Sequence, residues 1–182
     1  MIESTATADD AAARVEPHAL FTTAYREFAP AVRGYLRARG VDDPDAVTQD
    51  VFLALFPKLE DLHGGAAGLR TLIFTIAHSR SVDHHRHRDR TPTLVEYDVE
   101  NDRRTTASAE DHAIEAQTGV LAAMAALAPE YREVLALRII ADLSQEVTAE
   151  IMGRSVGAVK QLQRRALLAL RAEVTVGSGV LA

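Results

Sequence analysis

The chain of 182 residues contains no cysteine and no tryptophan, and aromatic residues make up only 5% of it. Without cysteine there is no disulfide framework, thiolate metal site or thiol redox switch. Because aromatic residues are so few, alanine, leucine and valine have to fill any core, and that composition favours helices. We therefore expect an all-α protein without a strand of consequence.

Two further kinds of feature are missing. No run of eighteen apolar residues occurs, and the first residues are acidic instead of a basic stretch followed by an apolar one, so we expect neither membrane insertion nor a signal peptide, and a cytoplasmic protein. No phosphate-binding glycine loop, nucleophile elbow or HExxH sequence is present. We therefore expect no enzymatic activity and no cofactor.

The formal net charge of −6 is divided unevenly along the chain. Residues 70–90 hold five Arg against two Asp, and residues 153–173 hold one Lys and four Arg against one Glu. Between them, residues 91–116 hold seven acids against two Arg. Local charge decides which surface meets phosphate, so the two basic segments predict two surfaces suited to nucleic acid.

The segment 143–170 has the pattern of a helix-turn-helix. Ser144 and Ser155 can each cap a helix, and Gly153 between them tolerates the backbone angles of a helix end. The second helix has an apolar stripe that we expect to be buried, formed by Val156, Val159, Leu162, Ala166 and Leu170. Its polar face carries Lys160, Gln161, Arg164 and Arg165. Such a face suits a DNA major groove, and the plainer alternative is a helical hairpin with a solvated surface.

Helical periodicity divides the chain into two small helical domains joined by a flexible acidic linker. The predicted segments are a disordered N-terminus at 1–17, a first domain at 18–90, the linker at 91–111, a helix-turn-helix domain at 112–175 and a tail at 176–182. Asp43 and Pro44 are typical of a helix start, and Gly40 of a helix end. Pro30 falls within the first helical run, which we expect it to kink or split.

Four segments in register resemble the extracytoplasmic-function (ECF) sigma factors, the two-domain promoter-specificity subunits of bacterial RNA polymerase. Residues 45–55, DAVTQDVFLAL, are similar to the family's AEDLTQEVFLRL helix, and residues 69–84, LRTLIFTIAHSRSVDH, resemble its FRAWLFRIARNLAIDH helix. Residues 127–138, LAPEYREVLALR, and 155–160, SVGAVK, resemble LPPEQREVLALR and SVGTVK. The resemblance covers residues 18–174.

The resemblance implies three sets of site residues. Docking on the polymerase clamp falls to Asp45, Thr48, Gln49, Asp50 and Phe52. Contact with the −10 element falls to Arg70, His78, Arg80, His84, Arg86 and Arg88. Contact with the −35 element falls to Arg138, Ser155, Lys160, Gln161, Arg164 and Arg165, with Arg138 on phosphate. The implied partners are core RNA polymerase through its clamp and flap, promoter DNA and an anti-sigma factor.

Three positions depart from the family pattern. Around Thr71 and His78 the family's usual Trp and Asn are missing, which bears on the packing of the pocket that captures a −10 base. Leu162 stands where the family commonly has Arg. Because Leu162 falls on the apolar stripe, we expect it in the core, which leaves a smaller set of base-reading side chains.

Two alternatives remain open from the sequence. The first is a metal site at His84, His85 and His87, but cations lie among these histidines and no carboxylate pair or cysteine completes a ligand shell, so we expect no metal. The second is a free-standing helix-turn-helix regulator that dimerises and binds a palindromic operator without polymerase.

Overall fold

The structure is a computed structural model that describes residues 17–90, 120 and 122–178. The predicted disordered N-terminus up to residue 16, the linker at 91–111 and most of the segment 112–121 lie outside these residues. Every regular element in the described ranges is helical, which confirms the all-α prediction. None of these helices combines the length and apolar content needed to cross a bilayer.

Three α-helices form the N-terminal lobe. They are α1 (Pro17–Ala38), α2 (Pro44–Leu55), which continues as a 3-10 turn (Phe56–Lys58), and α3 (Gly65–Arg90). The predicted start of α2 is confirmed, because the Asp43 carboxylate accepts a hydrogen bond from the Ala46 N–H at 2.9 Å and Pro44 occupies the first turn. Gly40 follows α1 with φ +75°, a conformation in which a residue without Cβ is least strained.

Helix α1 continues through Pro30 without a break, so the split that the sequence suggested does not occur. Proline has no N–H to donate to the carbonyl four residues earlier, at Arg26. Both residues lie on the exposed side of α1, where water can reach the backbone. The opposite side of α1 buries Ala24, Val32 and Leu36, and this packing holds the helix together across the proline.

The C-terminal lobe contains the helix-turn-helix. Its elements are α4 (residues 122–126), α5 (Pro129–Leu135), a π-helical segment (Ala136–Ile140), α6 (Gln145–Met152) and α7 (Val156–Ser178). The hydroxyls of Ser144 and Ser155 accept hydrogen bonds from N–H groups in the first turns of α6 and α7, at 3.1 and 3.2 Å. Gly153 ends α6 with φ 61°. The caps and the turn are as predicted, but α7 runs to Ser178 and includes the first three residues of the predicted tail.

The two lobes pack against each other. Helix α1 contacts the π-helical segment, and α3 contacts α6. Gly34 lies at the first of these contacts, where a Cβ on this glycine would be 3.5 Å from the Ile140 side chain. The buried apolar residues of both lobes consequently form one continuous core.

Candidate nucleic-acid and polymerase interfaces

The helix-turn-helix presents α7 as its second helix. Val159 and Ala166 are fully buried and Leu162 is 7% exposed, so the predicted apolar stripe faces the core and Leu162 belongs to it. Burial of this stripe fixes the rotation of α7 about its axis. As a result the opposite face of the helix turns outward.

The polar face of α7 is open to solvent. The exposed members of the predicted −35 set are Ser155, Lys160, Gln161, Arg164 and Arg165. Arg138 is half-buried instead, and its Nε donates a hydrogen bond to the Gln163 side chain at 3.2 Å. Arg138 therefore ties the π-helical segment to α7 as well as lying near this face.

A groove of about 370 Å³ runs along the outer side of α7. It is lined by Lys160, Gln163, Arg164, Leu167, Leu168 and Arg171. Arg171 was absent from the predicted set, although it lies seven residues after Arg164 and so on the same side of the helix. In the sequence, only this helical spacing indicated that Arg171 belongs to the set.

The side chains of the predicted −10 set on α3 differ in their exposure and in their contacts. Arg80 and Arg86 are exposed. His84 and Arg88 both reach Asp42, the residue before the cap of α2, with nitrogen–oxygen distances of 3.0 and 3.2 Å. These two side chains therefore link the basic half of α3 to the start of α2.

Arg70 and His78, the other two members, face the C-terminal lobe. The Arg70 guanidinium lies over the Phe28 ring at 5.2 Å and donates to the Ala141 carbonyl at 3.2 Å. His78 Nδ1 lies 3.4 Å from a Glu133 carboxylate oxygen. Burial lowers the pKa of His78 even though the Glu133 charge acts in the opposite direction. The predicted −10 set is therefore not gathered on one open face.

The predicted polymerase-docking set on α2 also divides. Asp45, Gln49 and Asp50 are exposed, whereas Thr48 and Phe52 are 1% exposed and belong to the core. The Thr48 hydroxyl is occupied by a 2.6 Å hydrogen bond to the Pro44 carbonyl.

The outer face of α2 includes an apolar residue that the prediction missed. Leu53 is 70% exposed, and it lies four residues after Gln49 and three after Asp50. The signal was present in the sequence, because Leu53 falls off the stripe formed by Val47, Val51 and Leu55.

The histidines considered as metal ligands have other contacts. His85 Nε2 donates to the Arg39 carbonyl at 2.9 Å. Burial lowers the pKa of His85 even though this hydrogen bond acts in the opposite direction. His84 faces Asp42. Across residues 17–90, 120 and 122–178, no three histidine, cysteine or acidic side chains are grouped as a metal ion would require.

A helical fold with an outward-facing basic helix-turn-helix defines a DNA-binding transcription protein. Residues 123–172 match the family described as Sigma-70, region 4. The ECF RNA polymerase sigma factors SigD of Mycobacterium tuberculosis and Mycobacterium bovis are 31% identical over 154 residues, covering 80% of this chain and 72% of theirs. The chain belongs to the ECF sigma factors, and it is an alternative sigma factor that directs transcription. The free-standing regulator is not favoured.

Solved structures agree on the fold. CnrH in complex with the cytosolic domain of CnrY superposes with a TM-score of 0.62 at 25% identity, covering 88% of this chain and 90% of that one. The sigma factor RpoE of Bartonella quintana, in complex with the anti-sigma factor NepR, gives a TM-score of 0.65 at 20% identity over 86% of this chain and 97% of that one. The second likeness supports the fold alone.

Proposed function

We propose that this sigma factor directs core RNA polymerase to promoters by placing α7 in the major groove of the −35 element and α3 on the −10 element. The observation that carries the −35 assignment is the exposed face of Lys160, Gln161, Arg164 and Arg165 above a buried stripe. Arginine pairs with guanine edges and glutamine with adenine edges, while lysine and flanking arginines position a helix on phosphates.

Polymerase docking is assigned to the outer face of α2. Its exposed residues Asp45, Gln49, Asp50 and Leu53 combine acids, an amide and one apolar side chain. Asp45 pairs with Arg33 and its side chain is still 57% exposed, so the carboxylate remains open to a partner. An apolar residue among polar ones is typical of the centre of a protein interface.

The remaining parts of the proposal follow from family membership. The protein acts in the cytoplasm, where core polymerase is found, and it performs no catalysis of its own. The anti-sigma factor NepR bound to the structural relative RpoE supports an anti-sigma factor as a further partner of this protein.

Run-off transcription with bacterial core polymerase over a promoter library tests the function. We expect transcripts from a defined promoter class with core polymerase and the full chain together, and none with either alone. Arg164→Ala should reduce these transcripts, whereas Arg26→Ala, an exposed arginine on α1, should not. Failure to bind core polymerase, combined with tight dimeric binding to an inverted repeat, would establish the free-standing regulator instead.

A further inference from the structure

Three arginines line a cavity where the end of α1 meets α3 and α5. This arginine cavity has a volume of about 450 Å³ and is lined by Arg39, Gly40, His85, Arg88, Pro129 and Arg132. Among the described residues, no acidic one is part of this lining. The volume falls within the range of small-molecule sites. Because the charged groups of the lining are all guanidinium groups, the cavity favours an anion.

Arg39 forms the recessed part of the arginine cavity, since its side chain is only 9% exposed. Its Nη1 lies 3.4 Å from a carboxylate oxygen of Glu133. Its Nε is buried, and no atom in the described ranges of the chain accepts a hydrogen bond from it. A donor that is removed from water without an acceptor is unfavourable, so the Arg39 guanidinium retains capacity for an oxygen that the protein does not supply.

Arg132 reaches the arginine cavity from α5 and is half-buried. None of the ion pairs within residues 17–90, 120 and 122–178 includes Arg132. A Cβ on Gly40 would lie 3.6 Å from Arg132 Nη1, so the guanidinium lies against a piece of backbone without a side chain. The charge of Arg132 is therefore not balanced by an acidic side chain of this part of the protein.

Arg88 and His85 complete the lining from α3. The Arg88 side chain is 56% exposed, and its Nη1 lies 3.2 Å from Asp42, so Arg88 marks the open side of the cavity. Burial lowers the pKa of His85 against the effect of its hydrogen bond to the Arg39 carbonyl, and the nearby charges of Arg39 and Arg88 lower it further. His85 is therefore neutral, and the positive charge of the cavity comes from the arginines.

This arrangement fits the end of a small phosphorylated molecule. A terminal phosphate carries about −1.5 to −2 charges and three acceptor oxygens, enough to engage several guanidinium groups. The planar guanidinium fork pairs two N–H groups with the oxygens of such an anion. A phosphate of duplex DNA carries a single charge and is flanked by a sugar on each side. It cannot enter a recess as narrow as the one in which Arg39 lies.

We propose that the arginine cavity binds a small molecule through a terminal phosphate or pyrophosphate group, with Arg39, Arg88 and Arg132 as the residues that hold it. The ligand would touch α3, α5 and the residue that follows α1. This site is additional to the function proposed above and uses none of the side chains on the outer face of α7.

The first test is isothermal titration calorimetry of the full chain with inorganic pyrophosphate, and with citrate as a carboxylate control at equal ionic strength. Arg132→Gln removes one charge from the cavity, and Arg26→Gln removes one from the exposed side of α1 as the matched control. We expect one pyrophosphate to bind to the unmodified protein and to Arg26→Gln alike. Binding to Arg132→Gln should be weaker by about tenfold or more. Arg88→Gln, at a more exposed position, should weaken binding about two- to fivefold.

Thermal unfolding separates a ligand-binding role of Arg132 from a structural one. Without ligand, Arg132→Gln should unfold at the same Tm as the unmodified protein or slightly higher, because one of three like charges is removed. Pyrophosphate at about ten times its Kd should raise the Tm of the unmodified protein by about 3–6 °C. The same concentration should raise the Tm of Arg132→Gln by at most about 1–2 °C.

No pyrophosphate binding by the folded protein would overturn the proposal. Equal weakening in Arg26→Gln, or citrate binding as tight as that of pyrophosphate, would do the same, because the effect would then be one of general charge. A loss of affinity for random duplex DNA in Arg132→Gln, without pyrophosphate binding, would assign these arginines to the DNA backbone instead. These measurements include neither polymerase nor promoter, so their outcome is independent of the run-off assay.

Discussion

Replacement of Leu53 by alanine provides a sharp test of how this sigma factor binds polymerase. Leu53 is 70% exposed on α2, and Leu55, two positions later on the same helix, is fully buried. The same substitution at the two sites therefore separates docking from folding.

The expected magnitudes follow from this exposure. Complete burial of a leucine side chain contributes about 1.5–3 kcal/mol, so truncation of one that is mostly exposed when free should cost about 1–2 kcal/mol of docking, or about five- to thirtyfold in Kd. The free energy of unfolding should change by less than about 0.5 kcal/mol for Leu53→Ala. For Leu55→Ala it should fall by about 2–5 kcal/mol.

The assay is competition for fluorescently labelled core polymerase, with urea unfolding of each variant alongside. Leu55→Ala should bind normally per folded molecule. An affinity of Leu53→Ala within about twofold of the unmodified protein, a difference of only about 0.4 kcal/mol, would show that the outer face of α2 is not the docking surface.

Three further predictions concern DNA binding, stability and pH. If Lys160 and Arg164 contact bases, Lys160→Ala and Arg164→Ala should each lose about 1–3 kcal/mol of binding free energy to the −35 duplex, measured by anisotropy titration. Equal losses on random DNA would show that these side chains contact phosphates instead of bases. Gly153→Ala, at φ 61°, should cost about 1–2 kcal/mol in urea unfolding, whereas Gly157→Ala, in open space within α7, should gain about 0.5–1 kcal/mol; a loss at both would refute the backbone argument. The pKa values of His78 and His85 are lowered in the fold. Their contribution to the free energy of unfolding should therefore be complete above pH about 6.5 and decline as the pH falls towards the lowered values. In urea titrations at several pH values His78→Gln should weaken this pH dependence, and an unchanged pH dependence would exclude His78 as its source.

The sequence predicted the features that depend on neighbouring residues. Caps at Asp43, Ser144 and Ser155, the turn at Gly153 and the burial of Leu162 all follow from local hydrogen bonding and the helical repeat. These preferences act between residues within one or two helical turns, so they can be recognised from a single sequence.

The features that sequence reasoning missed depend on distant packing. Thr48 and Phe52 match the family motif letter by letter, but the motif does not state which of its residues the neighbouring helices cover. The contacts of Glu133 with Arg39 and His78 join residues 94 and 55 positions apart in the chain. No periodic pattern reports a contact across such separations.

The position of Leu162 has a consequence for gene control. Leu162 is 7% exposed and contributes to the stability of the helix-turn-helix, from a position to which the resemblance to the family pattern assigns an arginine. With one fewer hydrogen-bond donor facing the groove, fewer base pairs can be told apart there. We therefore expect the −35 elements that this protein accepts to vary more in sequence, so that it acts at a larger group of promoters.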